Sequence, residues 1–129
     1  MSVRKWDLAW ALLDPAVGHE QAGRRPVLVF CNDVIAAPIG LATVLPLTTW
    51  KEGRRVYPTE VLLPSGTGGL PAASLVLTHQ IRTISARRLS PAIGTLGDGA
   101  VREQVVRALR LWLDLTGDGS ARRAVLRRA

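Results

Sequence analysis

The chain has 129 residues, 47% of them hydrophobic and 21% charged, a size and balance that fit one globular domain and exclude a disordered chain. Its one cysteine, Cys31, rules out an intrachain disulfide, and with only two histidines beside it a structural zinc site of the usual Cys/His kind is excluded too. Seventeen Lys+Arg against ten Asp+Glu give a net charge of +7, and all the basic residues except Lys5 and Lys51 are arginines, whose planar fork suits phosphates and acidic partners.

In chain order, short apolar segments rich in β-branched residues alternate with turn clusters, the pattern of a small all-β barrel. The first strand is expected over Trp6–Leu13. Its apolar run ends in Asp14-Pro15 and is too short for a secretory signal core, which points to a cytoplasmic protein. A long polar loop follows, with Gly18 and Gly23. Further strands are expected at Pro26–Cys31, Gly40–Leu47, Thr59–Leu63, Ser74–Thr78 and Ile81–Ile84. The polar stretch Lys51–Pro58 and the glycine-rich Pro64–Pro71 separate them. Cys31 reads as a small buried hydrophobe in its strand. Pro38, Gly40 and Pro46 break the longest apolar stretch, Ala36–Leu47, which is well short of the ~20 residues that span a bilayer, so no membrane association is expected.

A helix is expected from Gly99 to Thr116, with Asp98 as N-cap and Gly117 just past its end. At 100° per residue Val101, Val105, Ala108, Leu109, Trp112 and Leu115 form one stripe, which places Trp112 in the core. The chain therefore divides into a folded part, 1–117, and a basic tail, 118–129, suited to unspecific attraction to phosphate.

Enzyme signatures are mostly missing: there is no Walker loop, GxGxxG, HExxH or GxSxG, and neither His19 nor His79 sits in a triad context. The acids are scattered singly, so no metal or other cofactor is expected. Metal-free RNA cleavage remains open, because the substrate's own 2′-hydroxyl is the nucleophile. The protein need only move two protons and stabilise the extra charge on phosphorus. Two segments carry suitable groups. One is Gly18-His19-Glu20-Gln21-Ala22-Gly23-Arg24-Arg25-Pro26, a glycine-bracketed polar loop. The other is Pro46-Leu47-Thr48-Thr49, hydroxyls at the end of a strand. Read alone, Arg25 fits a structural arginine bonding loop carbonyls, Thr48 fits a turn cap, and Asn32-Asp33 fits a pair ordering a loop.

These segments, with Cys31-Asn32-Asp33, Tyr57-Pro58-Thr59-Glu60-Val61, Gly69-Leu70, His79-Gln80-Ile81-Arg82-Thr83-Ile84 and Arg88-Leu89, occur in the order found in the MazF/PemK toxin endoribonucleases. The chain resembles that family from residue 4 to about 116. The resemblance implies a mainly β fold with α: an SH3-like barrel with a C-terminal amphipathic helix, working as a homodimer. It implies a sequence-specific, metal-independent mRNA interferase of a type II toxin–antitoxin module. Such an enzyme cleaves single-stranded RNA to 2′,3′-cyclic phosphate and 5′-hydroxyl ends and inhibits translation and growth. A MazE-like antitoxin with an acidic flexible segment would hold it in check. Carried over by position, Arg25 and Thr48 are catalytic. Glu20 is either the base or a salt-bridge partner that orients Arg25. His19, Gln21, Arg24, Asn32, Thr49, Gln80 and Arg82 are the RNA-binding candidates. Two positions depart from the family pattern: His19 stands where serine is usual, and Trp6 where an Arg-Gly-Asp start has glycine. The alternative is a non-catalytic toxin or RNA-binding barrel of the same fold, such as the gyrase inhibitors, whose apolar tryptophan-bearing C-terminus is absent here.

Overall fold

The computed structural model describes residues 3–115. Its seven strands are β1 (Asp7–Leu12), β2 (Arg24–Val29), β3 (Leu41–Thr49), β4 (Glu60–Leu63), β5 (Ser74–Leu77), β6 (Arg82–Ser85) and β7 (Gly94–Thr95). They form one sheet in the order β4-β5-β3-β2-β1-β7, with β6 also paired to β3, and every pairing is antiparallel. The long strand β3 carries the curvature: Leu41–Val44 pairs with β6 and Leu47–Thr49 with β5 along the same edge. Alternation along the strands builds two apolar clusters. Leu8, Leu28, Leu45, Leu47, Leu63 and Val76 form the inner one, on which α2 (Gly99–Leu113) packs through Val105, Ala108 and Leu109. Ala11, Leu13, Val27, Val29, Val44 and Ile84 cover the other face.

All the expected strands are present, with edges shifted by at most two residues. Two shifts bear on function: β2 begins at Arg24, so Arg24 and Arg25 lie in a strand, and β3 runs through Thr48 and Thr49. A short helix α1 (Asp33–Ala36) and the two-residue β7 were not expected.

The C-terminal helix corrects three expectations. Asp98 caps its start as expected, accepting from Ala100 N–H at 2.9 Å and Val101 N–H at 3.2 Å. The helix stops at Leu113, where Asp114 turns left-handed at φ 55° and ends it three residues before Thr116. Trp112 is 51% exposed and Leu115 64% exposed, and the last residue of the stripe in the buried core is Leu109; Trp112 packs edge-to-face with His79, ring centroids 6.0 Å apart. Gly117 and the tail 118–129 lie outside the described residues. Cys31 is likewise only half-buried, just past the end of β2, where its Sγ accepts from Thr43 N–H at 3.5 Å.

Trp6 explains the glycine of the related pattern. Its φ is +77°, in the half of the map that costs a side-chain-bearing residue about 1–2 kcal/mol. The indole compensates: it meets Phe30 edge-on at 5.2 Å, carries Lys5 and Arg102 over its faces, and packs on the inner cluster. Trp6→Ala therefore loses the packing and keeps the strain, whereas Trp6→Gly loses the packing and relieves it. In urea unfolding both should be less stable than the parent, with Trp6→Gly the more stable of the two by about 1 kcal/mol. The reverse order would show that the backbone at residue 6 carries no strain.

Candidate active site on the β2–β3 seam

The site begins where β2 and β3 part. Their ladder runs from Val29↔Val44 to Val27↔Pro46 and goes no further. The cause lies in Pro26. Trp10, its partner on β1, points both backbone groups away from β2: its N–H donates to Ser90 Oγ at 2.8 Å and its C=O accepts from Ser90 N–H at 2.8 Å. Pro26 therefore turns its own backbone toward β3, where the next rung would need an N–H that proline lacks. Past this point the strands separate around a cleft of about 400 Å³ whose walls include Trp10, Arg24, Arg25, Thr49 and Ser74.

The register sorts the candidates between two faces. Continued two residues past Val27↔Pro46, it sets Arg25 opposite Thr48, on the face of Val27 and Val29. Arg82, paired with Val44, is on that face as well, and its Nη1 donates to Leu13 C=O at 3.1 Å. Arg24 and Thr49 belong to the opposite face, where the Arg24 guanidinium stacks on Trp10 at 4.8 Å and Thr49 is paired with Ser74. Arg25 and Thr48 are both half-buried. Arg25 Nε donates to Ala22 C=O at 2.9 Å, so the structural reading of this arginine holds for one of its nitrogens. Its two terminal nitrogens make no hydrogen bond among the described residues.

The loop 13–23 joins β1 to β2 and closes on itself through Leu13 N–H to Gly23 C=O at 2.9 Å and Gly23 N–H to Asp14 Oδ1 at 2.9 Å. Glu20 and His19 are exposed on it. The Glu20 carboxylate accepts from Val17 N–H at 3.0 Å and makes no ion pair with Arg25, so its suggested role in orienting that arginine is not realised here. Gln80 reaches the loop from a 3-10 turn, Thr78–Gln80. Its Nε2 donates to His19 C=O at 3.1 Å and its Oε1 accepts from Gln21 N–H at 3.4 Å. The side-chain oxygen of Gln21 is buried without a hydrogen-bond partner among the described residues. Arg88 was not among the expected site residues, although its Nη1 donates to Leu12 C=O at 3.3 Å and to Asp14 C=O. The sequence hinted at it through the Arg88-Leu89 pair among the segments of the family resemblance.

Asn32 is not part of this group. It lies past the other end of β2 and caps α1, its Oδ1 accepting from Val34 N–H at 3.1 Å and Ile35 N–H at 3.3 Å. Among the described residues no three His, Cys, Asp or Glu side chains come together as metal ligands. None of the described helices is long and apolar enough to cross a membrane.

A family model described as the PemK-like, MazF-like toxin of type II toxin–antitoxin systems matches residues 4–113. Endoribonuclease EndoA of Bacillus subtilis is 36% identical over 115 residues, covering 89% of this chain and 97% of that protein. Among solved structures, MazF from Deinococcus radiodurans superposes with a TM-score of 0.69 at 31% identity, covering 87% of this chain and 96% of that one. The MazE-MazF structure from the same organism gives a TM-score of 0.64 at 25% identity over 89% of this chain and 95% of that one.

Proposed function

Because the chain belongs to the family of PemK-like, MazF-like toxins of type II toxin–antitoxin systems, we propose that it is an endoribonuclease that cuts single-stranded RNA at Arg25 and Thr48. The observation that carries this reading is the strand alternation: Arg25, whose two terminal nitrogens make no hydrogen bond among the described residues, and Thr48 belong to the face of Val27, Val29 and Val44, just past the point where the β2–β3 ladder stops at Pro26. In the reaction the ribose 2′-oxygen attacks the adjacent phosphorus and loses its proton, while the bond from phosphorus to the 5′-oxygen breaks and that oxygen gains one. The products are a 2′,3′-cyclic phosphate and a 5′-hydroxyl. Arg25 stabilises the added charge on the phosphorane, and Thr48 hydrogen-bonds a phosphate oxygen. Glu20 is the base nearest in sequence to Arg25 whose carboxylate is solvent-accessible. Arg24 and Thr49, on the cleft face, extend the surface to flanking nucleotides, and His19 and Gln21 read bases from the loop.

The nucleophile belongs to the substrate, so cleavage should persist in EDTA and stop when the nucleotide 5′ of the cut is 2′-deoxy. Mapping cut ends on a long RNA and on its singly deoxy-substituted counterpart checks this. Equal cleavage of the two would reject the mechanism.

Membership of a toxin–antitoxin family supports an antitoxin as the second partner, and the charge of +7 favours one with an acidic flexible segment competing with RNA for the seam. We also read the protein as a cytoplasmic homodimer. Val34, Ile35 and Ile39, each at least 66% exposed around α1, supply an apolar face that a second copy would cover.

A further inference from the structure

We propose that Gln80 is a positioning residue: its carboxamide fixes the loop 13–23 against the barrel and thereby sets where Glu20 stands relative to Arg25 and Thr48. The inference rests on the reading of Arg25 and Thr48 as the cleavage site. It differs from an RNA-binding role for Gln80, because both ends of this carboxamide are already occupied by the protein's own backbone.

The loop has little else to hold its tip. Between Pro15 and Gln21, the hydrogen bonds that reach a side chain outside the loop, among the described residues, are the two to Gln80. These two bonds straddle Glu20, one to the C=O before it and one to the N–H after it, so together they fix both peptide units flanking that carboxylate. Gln80 itself is firmly mounted. Thr78, two residues before it, is fully buried; its hydroxyl donates to Thr59 C=O at 2.6 Å and its N–H to the same oxygen at 3.1 Å. Ile81, the next residue, donates to Thr78 C=O at 3.2 Å and packs on the inner cluster. Arg82 and Arg88 hold the root of the loop through the carbonyls of Leu12, Leu13 and Asp14, which leaves Gln80 to hold the far end. A catalytic group on an otherwise untethered loop would lose the preorganisation on which its contribution depends.

The test compares Gln80→Met, which keeps the length and removes both bonds, with Gln80→Glu, which retains an acceptor for Gln21 N–H and sets an oxygen against His19 C=O. Amide exchange over residues 15–21 should speed up about tenfold in Gln80→Met, with the strands unchanged, and less in Gln80→Glu. The kcat should fall about tenfold, while the Kd of an oligonucleotide carrying a single 2′-deoxy at the cut site changes less than about twofold. Unchanged exchange in the loop would overturn the proposal. So would a tenfold loss of affinity at unchanged kcat, which is the signature of a side chain that touches the RNA. Arg25→Ala, assayed alongside, separates the two layers: full activity in that variant would remove the cleavage site itself, whereas exchange in the Gln80 variants still reports on the tether.

Discussion

Arg25→Ala lowers the rate of RNA cleavage by about 10²-fold or more, the usual cost of deleting a donor aimed at charge that develops in the transition state. The fold survives the change. Arg25 contributes one hydrogen bond, to Ala22 C=O, and β2 is fixed by its pairing with β1 from Leu8↔Leu28 to Leu12↔Arg24. Thr48→Ala should lose activity as well, since no hydrogen bond within the described chain uses its hydroxyl and the β3–β5 register does not depend on it. Cleavage rates are read beside circular dichroism spectra, which should match the parent in both variants. Normal cleavage by Arg25→Ala with an unchanged spectrum would show that the seam is not the active site.

The second large effect is on stability. Glu60 is buried at the start of β4, with its side chain 3% exposed, and it holds Arg54 in a two-pronged pair at 3.0 and 3.1 Å while accepting Tyr57 N–H at 3.0 Å. Burial pushes this carboxyl up, but the hydrogen bonds from Arg54 and Tyr57 outweigh it and hold it below its ordinary value. A group depressed in the folded state contributes stability above its unfolded pKa and loses it as the pH falls through the folded one, so this contribution is present at neutral pH and disappears in acid. Arg54→Ala leaves the carboxylate buried with one donor. The expected loss at neutral pH is about 3 kcal/mol, the low end for breaking a buried pair, because Arg54 is 37% exposed and water enters the gap. In the variant burial, the Tyr57 bond and the weaker influence of His79 remain, the carboxyl moves up, and protonation relieves the unpaired charge. The difference between parent and variant should therefore narrow from pH 7 toward pH 4, as measured by urea unfolding. A constant difference over that range would mean that Glu60 is not the group responsible.

Periodicity and turn chemistry made most of the barrel legible, since Leu8, Val27, Leu45, Leu75 and their neighbours alternate as strands with a buried face should. It failed where a local pattern depends on what lies beneath it. The stripe through Trp112 is a correct helical stripe, but its buried part ends at Leu109 and Trp112 stays half-exposed against His79. The helix α1 spans a single turn, too short for periodicity, and β7 has only Gly94 and Thr95, which exist as a strand because β1 lies beside them. At the site, residue types suggested a loop at Gly18–Pro26 and hydroxyls at Thr48 and Thr49, whereas the roles of Arg25 and Thr48 came from resemblance alone. Pro26 was visible but its effect was not, because the direction of its missing N–H depends on Trp10 and Ser90. Gln80 and Arg82 looked like polar strand residues, and Arg88 entered only as part of the resemblance; what they bind is backbone about sixty or more positions away, the carbonyls to which all three donate and the Gln21 N–H from which Gln80 accepts.

The pairing of β1 with β7 also decides the order of events in folding. The β1 partner on one side is the adjacent hairpin strand β2, but on the other it is Thr95, whose hydroxyl donates to Asp7 Oδ1 across 88 positions of sequence. Closing a segment of that length costs about 4 kcal/mol of chain entropy before any contact repays it. β1 thus waits with one edge open until the segment that carries β7 has been made. Gly94 must then seat against the Gly68 carbonyl, where an added Cβ would lie 2.0 Å from that oxygen. Closure of the barrel is a late event, and until it happens β1 presents an unpaired edge to any other extended chain nearby.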